Sequence, residues 1–436
     1  MATSPNPSST INFLWIKSWP SCLRIKLIQL YYIKHRLISL GRSLLAILHR
    51  LRNRLRTGLI GLGWAGLGLA IALSLVLTPA ALSSSPQTEI RGVWLTNVDS
   101  DVLFSRSSVN QAVRRLQRLH FNTLYPTVWN WGYTLYPSDV AQRDIGRSLY
   151  PHPGLSDRDL LAELVQQGHR RGLSVIPWVE FGLMAPAGSE LVHRHPDWVT
   201  QRSDGSQIIL EGGVHPRVWL NPAHPGVQRF FLDLVTELVS QYDIDGIQFD
   251  DHLGMPVELG YDDYSLDLYR QAHNGANPPT DIHDPAWMRW RADQVTHLAE
   301  QIFYAVKAVR PDCLVALSPN PREFAYDMYL QDWWNWTQRG FVEELIVQLY
   351  RSDMDRFREE LDQPEIEQAH IPLGVGILTG LRNRPVEMDL IAEQVQTVRD
   401  RHLAGVSFFF YESLGDRDRS FRQLFSEPVM RQQLPL

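Results

Sequence analysis

From Glu89 onward, apolar residues arrive in two alternating rhythms. Short, nearly continuous apolar runs are separated by longer stretches in which apolar positions recur every three or four residues. The short runs are Ile90–Asn97, Asn122–Asn130, Leu173–Phe181, Ile244–Asp250, Leu314–Asn320, Leu345–Arg351, Leu373–Thr379 and Val406–Glu412. The intervening stretches, such as Val109–Leu119, Asp157–Arg171, Val227–Tyr242, Met288–Val309, Met388–Arg401 and one from Arg419, predict amphipathic helices. Strands apolar on both sides, each followed by a helix, imply a parallel sheet covered on both faces. Eight such units predict a (β/α)8 TIM barrel, in which chemistry gathers at the carboxyl ends of the strands. Two connections are long, Gly182–Pro225 and Asp251–Trp287. Both leave that end, so they are expected to wall a cleft.

The fourth run carries the sharpest signal. It reads Asp243-Ile-Asp-Gly-Ile-Gln-Phe-Asp250-Asp251-His252-Leu-Gly-Met-Pro256. Strand alternation puts Gly246, Gln248 and Asp250 on one face and Ile247, Phe249 and Asp251 on the other. The bulky apolar pair suits the helix-covered face, which aims Asp250 into the barrel mouth and leaves Asp251 in the turn. Glu180 shares the face of Trp178, and Glu412 that of Phe410. A charge ending an apolar strand is costly unless it is used or paired. The plainer alternative for each acid is a helix cap or an ion pair. Glu211, Glu258 and Glu323 fall in loops or at a helix start and are expected to be solvated. Asn221 is expected to cap the helix after Pro222.

Charge divides the chain. Ten Lys and Arg precede Gly58, and no acid occurs before Glu89. Gly58–Thr78 is an uncharged apolar run, long enough at about 1.5 Å per residue to cross roughly 30 Å of hydrocarbon. The expected organisation is a basic cytoplasmic segment 1–56, a transmembrane or signal segment 57–81, a polar linker 82–88 and a barrel over 89–436. The positive-inside rule then puts the barrel outside the cytoplasm, membrane-anchored in the periplasm or secreted if the segment is cleaved. The stretch Ile11–Arg56 would suit a basic helix lying on anionic lipid. The remainder holds 32 basic against 48 acidic residues, which argues against nucleic acid as a partner. Cys22 and Cys313 flank the apolar run, so no disulfide is expected between them.

Several blocks resemble a known family. Arg91-Gly-Val-Trp-Leu-Thr, Phe121-Asn-Thr-Leu-Tyr with Leu135-Tyr-Pro-Ser, Trp219-Leu-Asn-Pro-Ala-His-Pro, the Asp-Gly-Ile-Gln-Phe-Asp-Asp block and Leu317-Ser-Pro-Asn are similar to the glycoside-hydrolase-like family 10. The resemblance spans about Glu89 to Leu414. It implies a β/α barrel acting on a polysaccharide; peptidoglycan glycan of the cell wall is the expected substrate because an exported domain would lie in the same space.

Glycosidic cleavage requires one carboxylic acid to protonate the leaving oxygen and a second carboxylate to activate water or attack carbon. The catalytic candidates are Asp250, Glu180, Asp251 and Glu412. Rings that can stack on sugar faces lie at or near strand ends: Trp94, Trp129, Trp131, Trp178, Tyr350 and Tyr411. Asn97, Asn130, His252, Asn320 and Gln348 complete the expected substrate-binding set. No cofactor is expected, and no metal, because neighbours on a strand diverge and no fixed ligand spacing such as HExxH occurs. Two other readings stay open: a glycan-binding scaffold without turnover, and a metal-dependent polysaccharide deacetylase.

Overall fold

The computed structural model describes residues 88–381 and 384–431. The basic segment, the apolar run, the linker up to residue 87 and Cys22 lie outside these residues. Among the described residues no helix is long and apolar enough to cross a membrane.

The extended segments follow chain order: β1 Ile90–Leu95, β2 Thr123–Pro126, β3 Ser174–Val175 resumed as Trp178–Val179, β4 Gly246–Asp250, β5 Leu314–Ser318, β6 Glu344–Gln348, β7 Leu373–Leu378 and β8 Gly405–Phe409. Each pairs in parallel with its neighbour in this order, and β8 pairs with β1. β3 breaks at Ile176-Pro177, where proline has no N–H to give. Its first half pairs with β2 and its second with β4. The two edges of the nine-stranded sheet are therefore halves of one stretch, and the sheet curls into an α/β barrel.

Sequence explains where the helices start. Ser105 accepts from the Ser108 N–H ahead of Arg106–Arg118, and Asp159 from the Ala162 N–H ahead of Leu160–His169. Val109, Val113 and Leu116 of the first of these helices are buried in the main core. Ahead of Pro225–Gln241, the cap is His224 rather than Asn221. Asn221 is instead buried, donating to Asp262 and Ser265 and accepting from the Ala223 N–H.

Inside the barrel, Ile90, Trp94, Tyr125, Ile176, Trp178 and Ile346 belong to a separate apolar cluster. Gly376 leaves space for it, since a Cβ there would meet the Trp94 ring at 3.3 Å. At the opposite end from the carboxylates, Arg431 donates to Glu344 at 2.6 Å and to Thr123 Oγ1 at 3.0 Å. Burying that pair is tolerated because both charges are met.

Two runs end sooner than alternation suggests. β2 stops at Pro126, and Trp129–Asn130 pairs antiparallel with Tyr133–Thr134. β8 stops at Phe409, after which Tyr411–Leu414 forms a 3-10 turn. The long connection after β3 folds as a three-stranded antiparallel sheet of Met184–Pro186, Ile209–Glu211 and His215–Trp219.

Candidate active site

A cleft of about 540 Å³ opens at the carboxyl ends of the strands. Asp250 and Glu180 line it, the side to which alternation assigns them; Asp251, expected in the turn, and His252 line it as well. Trp94, Trp131, Trp178 and Tyr350 supply its rings, and Asn97 and Gln348 its amides. The Trp94 indole N–H donates to Gln248 Oε1 at 2.8 Å, fixing the floor.

Asp250 is buried at the end of β4. Its Oδ2 accepts from the Trp178 indole N–H at 3.1 Å and its Oδ1 from the His252 backbone N–H at 3.0 Å. Burial pushes its pKa up to about 7, and Asp251 adds to this while His252 opposes it. Glu180 is also buried. Its Oε2 accepts from Thr127 Oγ1 at 2.7 Å and Asn130 Nδ2 at 2.8 Å, and Thr96 Oγ1 lies 3.0 Å from both oxygens. Burial raises it to about 7, against the Thr127 and Thr96 hydrogen bonds, and the Asp250 charge adds to the rise. The pairing of Gln248 with Trp178 and Phe249 with Val179 sets Asp250 beside Glu180 on adjoining strand ends.

The turn after Asp250 is shaped by its neighbours. Gly182 has φ +43°, and a Cβ on it would lie 2.4 Å from the His252 carbonyl, which accepts from the Leu183 N–H at 2.9 Å. Gln331 Nε2 donates to the Asp250 and Leu253 carbonyls. His252 Nδ1 consequently sits 3.3 Å from Asp250 Oδ1 and 3.8 Å from Asp251 Oδ1. Burial disfavours the imidazolium, but Asp251 and Asp250 outweigh it and raise the pKa to about 10. Asp251 accepts from Asn320 Nδ2 at 3.0 Å and Gln348 Nε2 at 3.1 Å.

The sequence expectation that contiguous donors diverge is corrected here. The turn brings ligand atoms of Asp250, Asp251 and His252 within 4.8 Å of one another. The three form a compact cluster whose donor types, two carboxylates and an imidazole, could hold a cation once the imidazole is neutral.

Five expected site residues do not line the cleft. Trp129 leaves the barrel wall with its hairpin and packs edge-on to Phe230, its indole donating to the Gly182 carbonyl at 3.1 Å. Glu412 follows the end of β8, so alternation no longer aims it inward; its Oε1 accepts from Ser100, and burial raises its pKa. Tyr411 lies with its ring under the Arg115 guanidinium. Asn130 sits behind Glu180, donating to it and to Asn97. Asn320 positions Asp251 and lines a neighbouring groove. Trp129→Ala should therefore destabilise the fold by about 3–5 kcal/mol and leave glycan affinity of the folded fraction unchanged. Parallel melting and binding measurements check this, and an affinity loss at constant stability would contradict the placement.

Sequence reasoning missed Thr96, Thr127, Glu211, His215, Arg217 and Phe409. Glu211, expected to be solvated, lines the cleft and pairs with Arg217 at 2.7 Å. Arg217 lies 4.4 Å from the Trp131 ring. Trp131 and Gly132 both have positive φ, the two-residue hairpin geometry, and the ring is held between Arg217 and Phe181. The Thr pair was detectable as small hydroxyls near the ends of two apolar runs, and each directly follows a strand end, Leu95 or Pro126; the antiparallel insertion that brings Arg217 in had no such signal.

An α/β barrel with buried carboxylates under an aromatic-walled cleft defines the class as a glycoside hydrolase. The model of the family described as glycosyl hydrolase-like 10 matches residues 89–398, and the chain belongs to that family. Glycosyl hydrolase DigH of Escherichia coli is 24% identical over 334 residues, covering 63% of this chain and 70% of that protein. Glycosyl hydrolase YngK of Bacillus subtilis is 22% identical over 319 residues, covering 65% and 58%. Among solved structures, the PgaB (BpsB) glycoside hydrolase domain from Bordetella bronchiseptica superposes with TM-score 0.56 at 15% identity, covering 80% of this chain and all of that one. An alpha-L-fucosidase from Paenibacillus thiaminolyticus gives 0.56 at 16%, covering 77% and 48%. At these identities the structures speak to the fold.

Proposed function

We propose that the chain is an exported glycoside hydrolase that cleaves a cell-envelope polysaccharide, peptidoglycan strands first, with Asp250 and Glu180 as its carboxylate pair. The observation that carries this is the pair itself: two buried carboxyls on adjoining strand ends, sharing one cleft with Trp94, Trp131 and Trp178. Adjoining strands are about 4.8 Å apart, the scale of a nucleophile and an acid/base rather than of carboxyls with water between them. His252 Nδ1 lies against Asp250 and is the largest influence favouring its ionised form, whereas on Glu180 its effect ranks below the Thr127 and Thr96 hydrogen bonds. The negative Asp250 in turn favours a proton on Glu180. Asp250 is the nucleophile and Glu180 the acid. Export is supported by the ten basic residues before Gly58 and the apolar run after them.

Incubation of purified cell-wall glycan with the full-length chain should release soluble oligosaccharides detectable by mass spectrometry, and a chelator should leave the yield unchanged. A reporter active only in the cytoplasm, fused after Leu436, should stay silent. Binding without product would favour the scaffold reading. Loss of activity on chelation would favour the metal-dependent deacetylase, the reading that the 4.8 Å triad supports.

A further inference from the structure

Next to the cleft lies a second groove of about 650 Å³ at the same end of the barrel. One wall is the helix Arg322–Tyr329 that follows β5, and the other is Arg351 and the chain from Glu359 to Glu365 beyond β6. Two links join groove and cleft. Asn320 lines the groove while its amide donates to Asp251, and Tyr350 lines the cleft while Arg351 lines the groove.

The groove offers an apolar platform. Phe324 is 48% exposed and Met328, one turn on, is 44% exposed. Their helix is fastened to the loop after β4: the Met255 N–H donates to the Tyr329 carbonyl at 2.7 Å and the Val257 N–H to the Met328 carbonyl at 2.9 Å. A ring carried on a fastened helix orders less backbone on binding than one on a free loop. On the same lining Glu365 is more than nine-tenths buried, with a 3.9 Å ion pair to Arg322 and no side-chain hydrogen bond among the described residues. A buried carboxylate so weakly met has capacity left for a ligand's hydroxyl or amine.

We propose that this groove is a distal subsite holding the continuation of the glycan whose scissile bond lies at Asp250, with Phe324 as its stacking platform. This rests on the reading of the cleft as a glycan site and extends it: the enzyme grips its substrate over several sugars and acts within a chain. The lining also sets the substrate's charge. Glu323, Asp327 and Glu359 have no salt bridge among the described residues, whereas Arg351 is paired with Glu360 at 2.5 Å. The sugar received at this subsite is therefore a neutral or amine-bearing one, with any acid-bearing sugar of a peptidoglycan strand falling outside it.

The test is calorimetry on full-length Asp250→Asn and on Asp250→Asn/Phe324→Ala, with the disaccharide and the octasaccharide of β-1,4-linked N-acetylglucosamine as probes. The octasaccharide should bind at least tenfold more tightly than the disaccharide. Phe324→Ala should remove about tenfold of octasaccharide affinity and none of the disaccharide's. Equal affinity for the two lengths, an unchanged octasaccharide affinity in Phe324→Ala, an equal loss for both, or no binding would each overturn the subsite. Should Asp250→Asn fold poorly, kcat/KM of Phe324→Ala on the long against the short probe gives the same comparison. Product release from cell-wall glycan by the unaltered chain judges the proposed function separately.

Discussion

Asp250→Asn is expected to lower turnover of any glycan the enzyme cleaves by at least about 10³-fold while leaving a folded barrel. The side chain sits at the cleft floor, held by Trp178 and the His252 backbone, so it has one orientation toward a bound sugar. Asparagine can neither attack the anomeric carbon nor act as a base. It also has one acceptor oxygen where the carboxylate has two, so one of those two N–H donors loses its partner, a modest cost. The measurement is kcat on cell-wall glycan together with circular dichroism and a melting curve for each protein. Wild-type turnover in a folded Asp250→Asn would falsify the assignment of this cleft as catalytic.

Glu180→Gln should be nearly as severe and should alter the pH profile in a defined way. Asp250 must be ionised and Glu180 protonated, and both are raised to about 7 mainly by burial. Activity of the native enzyme is therefore expected to peak near neutrality and to fall on either side, with limbs that belong to the coupled pair. His252, raised to about 10, stays charged across this range. Residual activity of Glu180→Gln should lack the alkaline limb. Stability moves too. An unfolded glutamate titrates near about 4.3, so between about pH 4 and 7 the folded protein holds this proton more tightly than the unfolded chain does. Wild-type stability from this group is full below that window and is lost as pH rises through it, whereas glutamine does not titrate. The melting temperature of Glu180→Gln relative to wild type should rise from pH 4 to pH 8. A gap that shrinks over that interval would mean Glu180 is not buried as a raised acid.

The periodicity of the chain by itself determined the strand order, because each apolar run is followed by a helix long enough to carry it back to the next parallel position. It also determined the inward face of β4. Residues 246–250 are regular strand, so parity maps directly onto direction, and Asp250, Gln248 and Trp178 stand where alternation puts them. Alternation failed where regular strand stopped. Past Pro126 the chain turns into a hairpin and carries Trp129 into the helix layer; past Phe409 it turns again and takes Glu412 to Ser100. Parity has no meaning once backbone dihedrals leave the extended region. Tertiary structure alone decided the close approach of Gly182 to His252, which bends three contiguous donors into one triad, and the antiparallel insertion that brings Glu211 and Arg217 against Trp131. Both depend on contacts between segments distant in sequence, each specified by the shape of the other, and neither segment carries that shape in its own pattern of polar and apolar residues.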